Sequence, residues 1–354
     1  MSVARTFAVL CAALLLPGCS ATSYVSYYWQ AFNGQMEVRR LSRPVEEVLA
    51  DTATGAELKR KLAYAQRVRE FASRELGLPD NRSYRLYADL RRPYVVWNVF
   101  AAPAWSLELK TQCFPVAGCV PYRGYFSKED AEARAAEMRA TGDDVYVGGV
   151  PAYSTLGWFD DPLLNTFIHY PDLEIARLIF HELAHQVAYV KDDAAFNESY
   201  AVAVEEEGIK RWVKSNASAA EMRSYEAFKL RQRELIELLM RARSALAAVY
   251  GGKTDDAARR SGKARAIETL KAEYATLKHG WGLNADEAKR HDDWFYRDLN
   301  NARLGSVAVY TEHVAAFARL IVRERGDMQR FHAAVNALAA LPREERIKRL
   351  AVMP

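Results

Sequence analysis

Long hydrophobic runs, cysteine and a strong charge of either sign are all scarce in this chain of 354 residues. The main apolar run covers residues 7–16, and its ten residues are too few to cross a bilayer. The charge is nearly balanced, with 49 basic and 45 acidic side chains, and no basic stripe with interleaved aromatic residues is present. These features exclude a chain built from transmembrane helices and argue against a nucleic-acid partner.

Histidine is also scarce, with seven in the chain, yet two of them stand four residues apart in the HExxH run His181–His185. On an α-helix, residues four apart lie about 40° from each other around the axis, so both imidazoles can bind one zinc ion. Glu182 then lies beside the metal, where its carboxylate can take a proton from a water molecule that the zinc has activated. The flanking residues are almost all apolar, which predicts a buried helix whose histidines need a polar partner.

A zinc site for hydrolysis needs a third protein ligand and one open position. Two carboxylates follow on the next predicted helix, at Glu198 and Glu205, seven residues apart on one face. The polar linker at 191–193 predicts a turn that folds this helix back along the first one. We choose Glu198 as the third ligand, with Glu205 as the alternative.

These two segments resemble a known class of metallopeptidases. His181–Gln186 read HELAHQ and Asn197–Ala201 read NESYA, which are similar to the HELAHQ and NEGFA elements of thermolysin-like zincins of the alanyl and puromycin-sensitive aminopeptidase type. The resemblance implies Glu198 as the third zinc ligand. The interval after His185 is shorter than is usual in those enzymes, and the usual interval ends at Glu205.

A longer resemblance, over nearly the whole mature chain, is to a family of bacterial lipoproteins described as predicted zinc aminopeptidases. Three segments carry it: residues 114–126 (FPVAGCVPYRGYF), 152–159 (AYSTLGWF) and 300–304 (NNARL). The resemblance implies a zincin-like, gluzincin-type catalytic domain with one zinc ion and a peptide substrate.

The amino terminus has the pattern of a lipoprotein signal. Arg5 precedes the apolar run of residues 7–16. Residues 16–19 read Leu-Pro-Gly-Cys, so Gly18 is the small residue that lipoprotein processing requires before the cysteine. Cys19 would then carry lipid and tether the mature chain to a bacterial membrane without a transmembrane helix. The residue after Cys19 is Ser20, and not the aspartate that signals retention in the inner membrane. This predicts an outer-membrane location facing the periplasm. A plain secretory signal cut near Ala21 is the alternative.

The other cysteines agree with an oxidising compartment. Cys11 is removed with the signal, which leaves Cys113 and Cys119 around a short loop that contains proline and glycine. We predict a disulfide between these two residues. Metal binding by this pair is rejected because its spacing is unlike CxxC and no histidine or second cysteine pair is near.

The expected fold class is α+β and mostly helical, with a small mixed sheet, a zincin-like catalytic core and a helical C-terminal part. Residues 45–78 and 128–141 read as helices, and residues 94–100 and 144–150 read as strands. After Glu205 the chain reads as almost entirely helical. We divide it into a signal peptide (1–18), an N-terminal α/β segment with the cysteine loop (19–126), the catalytic core (127–215) and a helical domain that closes the cleft (216–354).

Substrate-binding residues are expected just before the metal helix. In zincins an edge strand above that helix pairs with the substrate backbone, and residues 153–158, with Tyr153 and Gly157, stand in the right order for it. A surface loop is the alternative. Asp160 and Asp161 are candidates to hold the substrate's α-ammonium group, although the Asp-Pro step equally favours a turn or helix start.

The oxyanion of the tetrahedral intermediate needs a hydrogen-bond donor. Related aminopeptidases use a tyrosine well downstream of the zinc-binding glutamate, and Tyr310 fits that order. His313 is the alternative, and Tyr296 is a further candidate.

Together these features predict a lipid-anchored zinc peptidase that acts on peptides, most simply an aminopeptidase. A metalloendopeptidase is the first alternative. The second is a non-catalytic envelope lipoprotein with a structural zinc, but such a site would have no use for the uncoordinated carboxylate of Glu182.

Overall fold

A computed structural model describes residues 18–114, 118–216, 218–253, 255–309 and 312–353. The described chain is mostly helical, with small mixed sheets, and the expected α+β class is confirmed. The helices are α1 (Gly18–Leu41), α2 (Val45–Ala50), α3 (Ala56–Leu76), α4 (Lys128–Ala140), α5 (Asp172–Ala184), α6 (Ala194–Asn216), α7 (Ala219–Gly251), α8 (Asp256–Gly280), α9 (Ala285–Tyr296), α10 (Asn301–Val309), α11 (Val314–Arg323), α12 (Met328–Ala339) and α13 (Arg343–Ala351). The strands are β1 (Arg43–Pro44), β2 (Leu86–Ala88), β3 (Val96–Pro103), β4 (Gln112–Phe114), β5 (Gly118–Val120), β6 (Arg123–Tyr125), β7 (Asp143–Val150) and β8 (Leu163–Leu164).

The largest sheet is antiparallel, in the order β6-β3-β7. Seven successive residues of its central strand β3 are buried. Successive side chains of a strand point to opposite faces, so both faces of β3 are covered. Trp97 and Val99 pack with α4, whereas Phe100 and Ala102 pack with Ala302 of α10. A helix therefore covers each face of this strand.

Two smaller sheets complete the β-structure. The order β1-β2-β8 is mixed, because β1 pairs antiparallel with β2 and β2 pairs parallel with β8. Strands β4 and β5 form a hairpin in which Cys113 lies opposite Cys119.

The main core lies around α5 and α6, which pack against each other and against α3. Helix α5 buries nine of its 13 residues. Close packing needs glycine at position 208 of α6, because a Cβ there would lie 2.6 Å from Phe180 Cδ2 and 2.8 Å from Leu76 Cδ1. A second core joins α7 to α10, where the rings of Tyr274 and Phe295 stack 3.6 Å apart.

Two expectations need correction in detail. The helix expected over residues 45–78 is two helices, because the chain turns between Asp51 and Gly55 and the Asp51 carboxylate accepts a hydrogen bond from the Ala53 amide. Helix α5 ends at Ala184, so His185 follows its last residue instead of lying inside the helix.

The edge strand expected over residues 153–158 is wrong: in the described structure this segment is a loop. Leu156 and Gly157 both have positive φ, +56° and +82°, which extended strands do not tolerate. The Thr155 hydroxyl accepts a hydrogen bond from the Phe159 amide and holds the turn. None of the described helices combines the length and apolar character needed to cross a membrane.

Candidate metal centre

Helices α5 and α6 bring three ligand-type side chains to one point. His181 comes from the last turn of α5, His185 follows that helix, and Glu198 lies in the second turn of α6. Their nearest atoms are His181 Nε2 and His185 Nε2 at 3.3 Å, His181 Nε2 and Glu198 Oε2 at 3.3 Å, and His185 Nε2 and Glu198 Oε2 at 3.8 Å. The three residues form a candidate metal site.

The spacing of these atoms fits a tetrahedral ion. Four ligands at about 2.0 to 2.1 Å from one ion lie about 3.3 Å from each other. The observed edges are 3.3, 3.3 and 3.8 Å. A metal ion can therefore be held by these three side chains with little rearrangement.

Glu205 occupies a different position, behind His181. Its Oε2 lies 3.0 Å from His181 Nδ1 and accepts a hydrogen bond from the Arg177 guanidinium at 2.9 Å. A proton on Nδ1 donated to Glu205 leaves the lone pair of Nε2 free for a metal. Glu205 therefore contacts Nδ1 of His181, whereas Glu198 faces Nε2 of the same ring.

The electrostatics of the cluster favour a cation. Burial acts to lower the pKa of His181, but hydrogen bonds to Glu198 and Glu205 outweigh it and raise that pKa to about 10. Burial lowers the pKa of His185 to about 4, which leaves its ring neutral at pH 7. Carboxylates that hold a proton on His181 would equally stabilise a metal ion in its place.

Glu182 shares the same buried environment. It is 8% exposed, and burial raises its pKa to about 7, with His181 acting to lower it and Glu198 acting to raise it. A carboxylate with this pKa next to a candidate metal site can accept and return a proton near neutral pH.

Polar side chains fix the start of α6, on which the position of Glu198 depends. The Asn197 amide group donates to Val190 O at 2.8 Å and accepts from Val190 N at 2.7 Å. Ser199 Oγ accepts a hydrogen bond from the His313 amide. The residues on either side of Glu198 therefore anchor it to the linker before α6 and to the start of α11.

Residues 26–350, which make up most of the chain, match the model of a protein family described as "Putative aminopeptidase". The chain belongs to this family. The description indicates a hydrolase that removes residues from the amino terminus of a peptide. No curated protein and no solved structure matches the chain.

Tyr122 is a site residue that sequence reasoning did not single out. Its ring packs on Phe100 at 5.4 Å. Burial raises the pKa of Tyr122 well above its usual range, and the negative charges of Glu198 and Glu182 add to this effect. No spacing signal could have found it, because residue 122 is far from the HExxH run in sequence.

The disulfide hairpin leads the chain to Tyr122. A disulfide bond joins Cys113 and Cys119. The Cys119 amide donates to Asp192 Oδ1, in the turn between α5 and α6. Gly118, at φ +76°, has no room for a Cβ, which would lie 2.5 Å from the same Asp192 oxygen. The hairpin is thus seated on the turn that joins the two ligand helices.

The three downstream candidates for the oxyanion donor differ in how far the structure describes them. Tyr310 lies outside the described residues. His313 precedes α11, and its amide donates to Ser199 Oγ, which brings the start of that helix next to the residue after Glu198. Tyr296 packs edge-on against Phe295 in the second core.

The side chains of Tyr153 and Asp161, which were expected to bind substrate, make hydrogen bonds within the protein. Tyr153 donates its hydroxyl hydrogen to Gln35. Asp161 is 3% exposed and accepts hydrogen bonds from the Thr155 amide at 3.0 Å and from Gln186 Nε2 at 3.5 Å. Burial raises the pKa of Asp161 to about 6.

The remaining two positions lie at the edge of this loop. Asp160 pairs with Arg82 at 3.6 Å and is partly exposed. A Cβ on Gly157 would lie 3.8 Å from Gln186 Oε1, so the turn contacts the residue directly after His185. The loop therefore borders the metal cluster, with both aspartates already engaged by the protein.

Proposed function

We propose that this chain is a zinc-dependent aminopeptidase whose zincin-like catalytic core is built on α5 and α6. The observation that carries the proposal is the His181, His185 and Glu198 cluster with Glu182 beside it. Two imidazoles and one carboxylate at tetrahedral spacing are the donor set of hydrolytic zinc sites, which leave the fourth position open. The family description supports the peptidase class.

A bound zinc ion would act as a Lewis acid that polarises the scissile carbonyl and lowers the pKa of water toward neutrality. The remaining chemistry belongs to the chain. Glu182 accepts the proton of the attacking water and returns it to the leaving amine. Glu205, held by Arg177, keeps His181 in the tautomer that presents Nε2.

The developing oxyanion needs a donor, and we propose the hydroxyl of Tyr122. Its raised pKa keeps the phenol protonated at neutral pH, and the negative charges of Glu198 and Glu182 contribute to that pKa. A protonated phenol in a buried site donates a strong hydrogen bond to an anionic oxygen. Tyr310 and His313 remain the alternatives.

We further propose that Cys19 carries lipid and that the enzyme is tethered at the outer membrane, facing the periplasm. The pattern that ends at Cys19 supports the anchor. The bond between Cys113 and Cys119 supports an oxidising compartment, because structural disulfides are rare in the cytosol.

Zinc content and peptide cleavage together test this function. The purified chain should hold about one zinc ion, and Glu182→Gln should keep that zinc while lowering kcat by about a thousandfold. Glu206→Gln is a matched control, since Glu206 lies on α6 and pairs with Lys229 instead of the cluster. Normal turnover by Glu182→Gln would contradict the proposed base.

Substrate choice separates the aminopeptidase from its alternatives. A short peptide with a free amino terminus should be cleaved, and its N-acetylated form should not be, because acetylation removes the terminal charge. Cleavage of both at internal bonds would identify an endopeptidase. Zinc binding without hydrolysis of any peptide in a broad library would identify a non-catalytic zinc protein.

A further inference from the structure

Helix α1 has two faces of opposite character. Its inner face packs on the protein: Val38 is 1% exposed, the Gln30 side chain accepts a hydrogen bond from the Phe126 amide, and a Cβ on Gly34 would collide with the Phe126 ring. The ring of Tyr27 lies against the Arg123 guanidinium at 3.9 Å. The helix is therefore docked, and its outward side has a fixed direction.

The outer face carries large apolar side chains in water. Val25 is 70% exposed, Tyr28 43%, Trp29 64% and Phe32 55%. With about 100° between successive residues, these four positions fall within an arc of about 100° on one side of the helix. We call them the aromatic face. Trp29 and Phe32 stack on each other at 6.2 Å, which makes the patch continuous.

A second exposed aromatic pair adjoins the end of this face. Trp158 is 72% exposed and Phe159 is 38% exposed. The Arg39 guanidinium lies over the Phe159 ring at 5.2 Å, and the Tyr153 hydroxyl contacts Gln35. The loop that contacts Gln186, next to His185, thus runs beside the outer side of α1.

The outer face of α1 carries no acidic side chain up to its last two turns. Residues 18–36 contain no acidic side chain, and Glu37 points inward to Arg92 at 2.6 Å. Arg39 and Arg40 are exposed in the last turn of α1. Aromatic side chains flanked by arginine are suited to the interface of an anionic bilayer, where the rings sit at headgroup depth.

The position of α1 along the chain points to the same occupant. The apolar run of residues 7–16 ends two positions before α1 begins at Gly18, and Cys19 lies within the first turn. The lipid anchor proposed at Cys19 would hold the amino end of α1 at a bilayer, and Val25 is about 9 Å further along the helix at 1.5 Å per residue. With the anchor in a bilayer, the aromatic face of α1 would stay within a short distance of the lipid surface, which makes lipid the favoured partner.

We propose that the aromatic face of α1, together with Trp158, rests on an anionic lipid bilayer and orients the metal centre relative to the membrane. The choice of a bilayer as the occupant rests in part on the lipid anchor proposed above at Cys19, but the surface itself can be tested without that lipid and without the peptidase chemistry. Its energy comes from partial burial of the rings and from attraction of Arg39 and Arg40 to anionic headgroups.

The test is vesicle binding by a chain that cannot be acylated. The probe is the chain from residue 18 onward with Cys19→Ser, which retains every residue that the structure describes. Its sedimentation is measured with vesicles of phosphatidylethanolamine and phosphatidylglycerol and with vesicles of phosphatidylcholine alone. We expect binding to the anionic vesicles that weakens with added salt, because screening reduces the arginine contribution.

Replacing Trp29 and Phe32 together by Ser should lower the partition coefficient by about tenfold or more, since each ring loses its contact with lipid. Val322→Ser is the control, because Val322 is 76% exposed on α11 and should change binding by less than about twofold. Replacing Arg39 and Arg40 by Ala should remove the preference for anionic vesicles while leaving the aromatic rings in place.

Three results would overturn the proposal. The first is no binding of the parent chain to either vesicle. The second is an equal loss in the Val322→Ser control. The third is a dimer in sedimentation velocity that the Trp29 and Phe32 substitutions dissociate, since a second copy would then cover the aromatic face.

Discussion

The two ligand helices α5 and α6 and the two long helices α7 and α8 are stabilised in different ways. Helix α5 buries nine of 13 residues and has no side-chain cap at its amino end. Helix α7 buries five of 33 residues and begins with a capping box between Ser218 and Glu221. Asp255 caps the start of α8.

The difference shows where each helix obtains its stability. A helix with little buried surface depends on caps and on local side-chain pairs. A helix inside the core depends on its neighbours, and it can carry charges such as Glu182 and Glu205 only if partners compensate them. Substitutions near the metal centre should therefore have large effects, and substitutions in α7 and α8 should have small, local ones.

The largest effect is expected from the ligand Glu198. Glu198→Gln should remove most of the bound zinc, because the amide is a much weaker metal ligand than the carboxylate. Glu205→Gln should keep the metal but lower its affinity by about 10 to 100 times, since it weakens the hydrogen bond that orients His181. Zinc competition with a chromogenic chelator measures both. The reverse order of losses would make Glu205 the ligand.

A pair of glycines compares the packing of the two regions. Gly208→Ala should lower the free energy of unfolding by about 3 kcal/mol, because the new Cβ collides with Phe180 and Leu76 between three packed helices. Gly251→Ala places a methyl group where no atom lies within 4 Å and should change stability by less than about 1 kcal/mol. Urea denaturation measures both. Equal losses would show that α6 is no more tightly packed than the end of α7.

A substitution at Asp161 tests whether a buried charge near the candidate metal site lowers the free energy of unfolding. Burial raises the pKa of Asp161 to about 6, so the folded chain binds this proton more tightly than the unfolded chain does. The associated stability is complete below about pH 4 and is lost as the pH rises through about 6.

Asp161→Asn should therefore stabilise the chain by about 2 kcal/mol at pH 8 and have little effect below about pH 4. Denaturation curves at the two pH values measure the difference. Glu268→Gln, which changes an exposed carboxylate of α8, is the control and should have no such pH dependence. A variant at Asp161 that is equally stable relative to the parent at both pH values would contradict the prediction.

The smallest effect is expected at the cap of α7. Ser218→Ala removes the hydroxyl that accepts from the Glu221 amide and should cost about 1 kcal/mol. Metal content and peptide cleavage should not change, because α7 contributes no ligand to the cluster. Thermal unfolding followed by circular dichroism measures the loss, and a change in zinc content would show that α7 influences the centre.

Local signals in the sequence predicted much of the fold. The strand run at 94–100 and the helix at 128–141 lie close to β3 and α4, because alternation and apolar periodicity reflect the burial of each segment. The break in the expected helix at 45–78 was missed because Gly55 and its polar neighbours are tolerated in many helices. The edge strand predicted over residues 153–158 rested on the order of segments in zincins, with a surface loop as the alternative. The structure has the loop, with positive φ at Leu156 and Gly157.

The spacing of the HExxH run alone predicted that His181 and His185 face the same point with Glu182 beside them, because helical spacing is local and His185 keeps helical dihedral angles although it follows the last residue of α5. The role of each acidic residue needed the tertiary structure. Glu198 and Glu205 lie on the same helix face. Only the packing of α6 against α5, with Arg177 beside Glu205, brings Glu198 to His181 Nε2 and Glu205 to His181 Nδ1. The burial of Tyr122 and the exposure of the aromatic face of α1 also needed the tertiary structure, because the exposure of a side chain depends on residues far apart in the chain.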